Sequence, residues 1–137
     1  MILLDTNVVS EAQRPQGSAR VKKRVEDHAG DLCLSAIVMG ELRFGIGLLR
    51  DPDRKSSLAD WYSRLAAGFG EVILPVSLQV AEEWGDLSAR MQTAGRRIGA
   101  QDGLIAATAL VHDLTLWTRN TRDFADTGVR LFDPWEG

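Results

Sequence analysis

The sequence predicts an α/β protein, a three-layer α/β/α sandwich around a central parallel sheet. Short Val-, Ile- and Leu-rich runs recur at "MILL", "LCLS", "VILPV", "TLWT" and, more weakly, "VRLF". They are too apolar to keep one face in water, as buried parallel strands are. Longer amphipathic stretches separate them, the spacing that helical crossovers between parallel strands require. A length of 137 residues suits one domain over 1–137, with a core that needs neither disulfide nor structural metal.

The first run, "MILL", stops at once on Asp5, Thr6 and Asn7. The second, "LCLS", leads into "IVMGELRFGIGLL", where Val38, Leu42, Gly45 and Leu49 share one helical stripe and Ile37, Glu41, Phe44 and Leu48 the next. Two apolar stripes predict a mostly buried helix. The loop "RDPDRKS" carries Asp-Pro and Ser punctuation. Beyond it "LADWYSRLAAGF" repeats at helical spacing through Leu58, Trp61 or Tyr62, Leu65 and Phe69. "SLQVAEEWGDLSARMQ" does so through Val80, Trp84, Leu87 and Met91, with Ser77 as N-cap and Gly95 as stop. "DGLIAATALVHD" is small and apolar nearly all round, which predicts a central helix close against the sheet. There is no internal repeat, low-complexity tract or linker.

The net charge of -3 argues against coating nucleic acid by bulk charge, although two divalent cations at an acidic site would reverse its sign. Thirteen of the sixteen basic residues are arginine, and no lysine follows Lys55; arginine offers a fork suited to phosphate. The one cysteine, Cys33, lies in the apolar "LCLSAIV" and reads as a small buried hydrophobe. No stretch reaches the roughly 20 apolar residues of a membrane span, and "MILLDTN" is not a secretory leader. A cytoplasmic location without membrane contact is the expectation.

Four acids stand where packing would not choose them. Asp5 ends the first strand, and the carboxyl ends of parallel strands are where ligands bind. Glu41 shares a stripe with Ile37, Phe44 and Leu48. Asp102 begins the apolar central helix, and Asp123 follows "TLWT" in "TRNTRDF". Each also has a plainer explanation: Asp102 as a helix N-cap, Asp5 in a turn, Asp123 as cap of a short "DFAD" helix, Glu41 paired with Arg43 or a more distant arginine. With right-handed crossovers, however, all four fall along one edge of the sheet. They would raise one another's pKa values unless a cation intervened. Hard oxygen ligands without nearby cysteine or histidine favour Mg²⁺ or Mn²⁺, and such a site suits phosphate chemistry. His28 and His112 lie far apart in helical stretches and read as surface or core residues.

Thr6, Asn7, Ser35, Thr118 and Asn120 lie at or just beyond strand ends, where hydroxyls and amides can orient carboxylates or waters; as plain structure they are caps and turn residues. Arg96, Arg97, Arg119 and Arg122 flank the last two acids and could grip a polyanion, or be solvated ends.

"LLDTNVVSE", "SAIVMGELRFGI", "GRRIGAQDGLIAATAL" and "LWTRNTRDF" resemble, in order, the motifs of PIN-domain ribonucleases, specifically VapC-type toxins of toxin-antitoxin modules. The closing "LFDPW" is similar to their FitB-like branch. The likeness runs from Ile2 to Trp135. It implies an acidic metal site of Asp5, Glu41, Asp102 and Asp123, with Asp5 and Asp102 the surest ligands, and supporting roles for Thr118 and Asn120. It further implies Mg²⁺- or Mn²⁺-dependent cleavage of RNA, inhibition of translation, a homodimer, and a cognate VapB-type antitoxin that builds a higher assembly and occludes the site. One departure is "QDG": relatives often carry a larger apolar residue after the acid, and Gly103 is expected to loosen the helix start. Trp61, Tyr62, Phe69 and Trp84 are candidates for a groove receiving an apolar peptide, or for core.

Haloacid-dehalogenase-like phosphatases and receiver domains also place an aspartate after a first strand, but resemble one another in needing a later lysine, which this chain lacks. A catalytically silent RNA- or partner-binding module of the same fold is the alternative from another class, and DNA cleavage a further one.

Overall fold

The computed structural model describes residues 1–137. Its sheet has five strands, β1 (Ile2–Leu4), β2 (Leu32–Ser35), β3 (Ile73–Leu74), β4 (Thr115–Trp117) and β5 (Arg130–Phe132). Their order is β3-β2-β1-β4-β5, and every pairing is parallel. β1 is therefore central, which buries Leu3 and Leu4 on both faces. "VILPV" contributes only Ile73–Leu74 to the sheet, because Pro75 next to it has no N–H for a ladder.

Six helices complete the α/β/α sandwich: α1 (Thr6–Gln13), α2 (Ala19–Asp27), α3 (Ala36–Gly47), α4 (Pro52–Phe69), α5 (Leu78–Thr93) and α6 (Ala100–Val111). Their starts follow capping chemistry. Ser18, Ser35 and Ser77 accept backbone N–H bonds at α2, α3 and α5, and Asp51 precedes Pro52 at the start of α4. Gly95, at φ +79°, stops α5 in the left-handed region that favours glycine.

α6 is the central helix its composition predicts, with Gly103 and Ile105–Ala109 buried. Met91 of α5 and Leu87 join the same core as β1, β2 and β4. Cys33 is buried within it. His28 is exposed and uses Nδ1 on the Arg24 carbonyl, while His112 ends α6 at the surface.

α3 departs from the reading. Val38, Met39, Leu42 and Ile46 are buried, but Phe44 is 70 % and Leu48 66 % exposed. Neighbouring elements cover one side of α3, and the stripe containing Phe44 and Leu48 lies outside that cover. No helix is long and apolar enough to cross a membrane.

Candidate active site

Parallel topology delivers the carboxyl ends of β1 and β4 side by side, since Leu4 pairs with Trp117. The residues that follow each strand therefore meet. Asp5 is 6 % exposed and is N-cap of α1: its Oδ1 accepts from the Thr6 N–H at 2.8 Å, and its Oδ2 from the Thr118 hydroxyl at 2.8 Å. The Thr118 oxygen in turn accepts from the Asn120 N–H at 3.0 Å and, at 3.4 Å, from Asn7 Nδ2. Asn7 Oδ1 accepts from the Arg119 N–H at 3.3 Å. A polar lattice thus locks the segment after β4 to the start of α1.

Glu41 joins from α3. Its Oε1 accepts from the Thr6 hydroxyl at 2.7 Å, which sets aside the pairing with Arg43, whose guanidinium lies over the Tyr62 ring instead. Asp102 arrives on the first turn of α6. It is not the cap: Gly99 occupies that position, and no side chain caps the helix. No protein group donates to the Asp102 carboxylate, which remains half-buried. Asp123 is exposed inside a short 3-10 turn over Thr121–Phe124, so it does not cap a "DFAD" helix either.

The four acids feel one another. Burial, then the charges of Asp5, Asp123 and Glu41, push the Asp102 pKa from 3.8 up to about 6. Burial also raises that of Asp5; the Thr118 and Thr6 bonds oppose the rise, and the Asp123 charge adds to it. No arginine or lysine relieves this repulsion. The ion pairs of the molecule join Arg14 to Glu11, Lys23 to Asp27, Arg96 to Asp126 and Arg130 to Asp113. No three of the acids converge into a closed metal cage. As donors, four carboxylates flanked by hydroxyls and amides, with no thiol or imidazole among them, nonetheless fit a hard divalent cation. Uncompensated negative charge is the property that such an ion would relieve.

The remaining candidates divide. Thr6, Asn7, Thr118 and Asn120 lie in the cluster. Ser35 does not face it as a free hydroxyl: it caps α3, accepting from the Ile37 and Val38 N–H groups at 3.0 and 3.2 Å. Arg119 leaves through its side chain, which stacks over Trp135 at 5.0 Å, and Arg122 is exposed beside Asp123. Arg96 is spent on Asp126, and Arg97 lines a small hollow with Ser88 and Gln92.

Of the four groove candidates, Trp61 and Phe69 line an apolar groove of about 570 Å³ with Val25, Leu65 and Val72. Tyr62 and Trp84 are not part of it. Trp84 instead packs on Gly103, where an added Cβ would stand 2.9 Å from Trp84 Cδ1. The groove runs past Trp61 and Arg64 into a cleft of about 720 Å³ lined by Arg14, Arg54 and Arg64. Neither the Trp84 contact nor the arginine cleft was legible in periodicity; a glycine beside Asp102 in an alanine-rich helix was the one available signal.

A family model for the PIN domain matches residues 2–129. The toxin FitB of Neisseria gonorrhoeae is 41 % identical over 137 residues, covering 98 % of this chain and 99 % of the relative. A VapC ribonuclease, Y4jK, of Sinorhizobium fredii is 36 % identical and covers 99 % of each. The crystal structure of FitAcB from Neisseria gonorrhoeae superposes with a TM-score of 0.94 at 40 % identity, covering 100 % of both chains.

Proposed function

The chain belongs to the PIN-domain family, and from that premise we propose that it is a metal-dependent endoribonuclease toxin. On this reading one nuclease domain over 1–137 cleaves RNA in the cytoplasm, inhibits translation and is held silent by a VapB-type antitoxin. The observation that supports it most is the acidic cluster of Asp5, Glu41, Asp102 and Asp123, which shares one electrostatic field with no basic side chain to neutralise it.

Asp5 and Asp102 would hold Mg²⁺ or Mn²⁺ directly, with Glu41 and Asp123 completing the oxygen set. Such an ion supplies Lewis-acid activation of water and charge neutralisation at the phosphate. The chain's own residues supply positioning. Thr118 and the Thr6 N–H fix both oxygens of Asp5, and the Thr6 hydroxyl orients Glu41. Asn7 and Asn120 tie the β4 segment down, so that Asp123 stays beside the cluster. Arg122, exposed next to Asp123, is the candidate for gripping the polyanion near the acids; Arg119, stacked on Trp135, and Arg96, paired with Asp126, would have to leave those partners to join it, and Arg97 lies on the separate loop between α5 and α6.

The apolar groove at Trp61, Leu65 and Phe69 suits a segment of the antitoxin. The arginine cleft that continues it favours acidic residues flanking that segment. Exposed Phe44 and Leu48 on α3 offer apolar surface of the kind that marks an interface, and we assign it to the homodimer.

The test is direct. Structured RNA is incubated with the chain and Mg²⁺ or Mn²⁺, with and without EDTA, beside an equal DNA digest. The reading requires RNA cleavage that stops with EDTA and is absent in Asp5→Asn. RNA bound but never cut would return the chain to a binding module, and DNA cut in preference would change the substrate class.

A further inference from the structure

We infer that Trp84, seated on Gly103, is the positioning residue for Asp102. The inference rests on the acidic cluster being a cation site, as proposed above. Asp102 has no hydrogen bond of its own to a protein group, and the N-cap of α6 is Gly99, which has no side chain to cap with. Besides the backbone ladder of the helix itself, the first turn is fixed by the Gly103 N–H bond to the Gly99 carbonyl at 2.8 Å and by packing. The closest of that packing comes from Trp84 of α5. A Cβ at residue 103 would lie 2.9 Å from its Cδ1, 3.0 Å from its Nε1 and 3.6 Å from Ile98 Cγ2.

A contact at 2.9 Å to the base of an indole ring is not relieved by swinging the tip of a flexible chain; ring or helix must shift. The absent side chain at 103 is therefore filled by Trp84, and glycine here is no loose start. The indole lies against bare backbone one residue from Asp102 and holds that turn at a set height over the sheet edge. A carboxylate that must share an ion with Asp5 depends on such support.

The test reads Mn²⁺ affinity by titration calorimetry and, in metal-free protein, amide exchange of Gly103 by NMR relative to Ile105–Ala109 of the same helix. Trp84→Ala and Gly103→Ala each lower Mn²⁺ affinity about tenfold and selectively lower the protection of the residue-103 amide, its exchange rate being compared with the intrinsic rate of the residue present. Trp84→Phe, which keeps a ring on the glycine, stays within about threefold of the wild type. The double variant loses no more than Trp84→Ala alone, because both changes remove one contact. Leu87→Val, buried on the same helix, lowers Tm and moves neither readout. If Trp84→Ala does not fold, Gly103→Ala carries the same expectation with the indole intact. Unchanged protection of the residue-103 amide, or additive losses in the double variant, overturns the positioning role. Wild-type chain that takes up no Mn²⁺ overturns the cation reading instead, and the exchange measurement decides the role of Trp84 by itself.

Discussion

The Thr118 hydroxyl donates to Asp5 Oδ2 at 2.8 Å across a separation of 113 residues. Thr118 is fully buried, so the bond is shielded from competing water, and its oxygen also receives the Asn120 N–H. Thr118→Val keeps the shape and removes both functions. It is expected to cost about 1–3 kcal/mol of stability and to weaken Mn²⁺ binding about tenfold. Urea unfolding and titration calorimetry check the two effects separately.

Asp102→Asn is expected to abolish RNA cleavage without harming the fold, because Asp102 caps nothing and repels three other acids. Cleavage assays and unfolding curves in EDTA test this; a clear loss of metal-free stability would contradict it.

The raised pKa of Asp102 also sets a pH dependence. An acid whose folded pKa lies above its unfolded one favours the folded state while protonated. That advantage is complete below pH 3.8 and lost as pH rises through about 6. Metal-free chain is therefore less stable at pH 7 than at pH 5. The nominal shift corresponds to about 3 kcal/mol, and solvent screening at this half-buried group reduces it to about 1 kcal/mol. Urea unfolding at the two pH values captures a little under half of that, since titration is already under way at pH 5, and Asp102→Asn should shrink the difference to the part that Asp5 contributes.

Phe44→Glu with Leu48→Glu places two charges on the exposed stripe of α3. Sedimentation is expected to show the dimer replaced by monomer with the Tm nearly unchanged, since both side chains are already in water within one chain. An unaltered mass would remove α3 from the dimer face.

Arg64→Glu reverses charge where the apolar groove meets the arginine cleft. Its expected effect is at least tenfold weaker binding of the cognate antitoxin, with Mn²⁺ affinity unaffected. Binding and metal titrations on the same preparation distinguish the groove from the acidic cluster.

The sheet and its acids are legible in the sequence because burial makes them conspicuous. An all-apolar strand that stops on Asp5, or an alanine-rich helix opened by Asp102, breaks a local pattern, and parallel topology decides where such breaks meet. The helix α3 was legible but the exposure of its second stripe was not, because a helical wheel counts apolar residues without knowing which neighbours exist to cover Phe44 and Leu48. Ser35 shows the opposite difficulty: a hydroxyl at a strand end serves equally well as a cap, and the two uses look alike in sequence. Trp84 and Gly103 meet through a side chain on bare backbone, a contact that neither residue's type reveals.

Central β1 finds its two neighbours at very different times during synthesis. β2 follows it closely in the sequence, whereas β4, with Thr118 and the turn holding Asp123, is made only after α3, α4, α5 and α6. Until then one edge of β1 is unpaired and Asp5 lacks its partner hydroxyl. A chain cut short before Thr118 lacks both that hydroxyl and Asp123, so the acidic cluster cannot assemble and the proposed toxicity would begin only once the segment after β4 has been made.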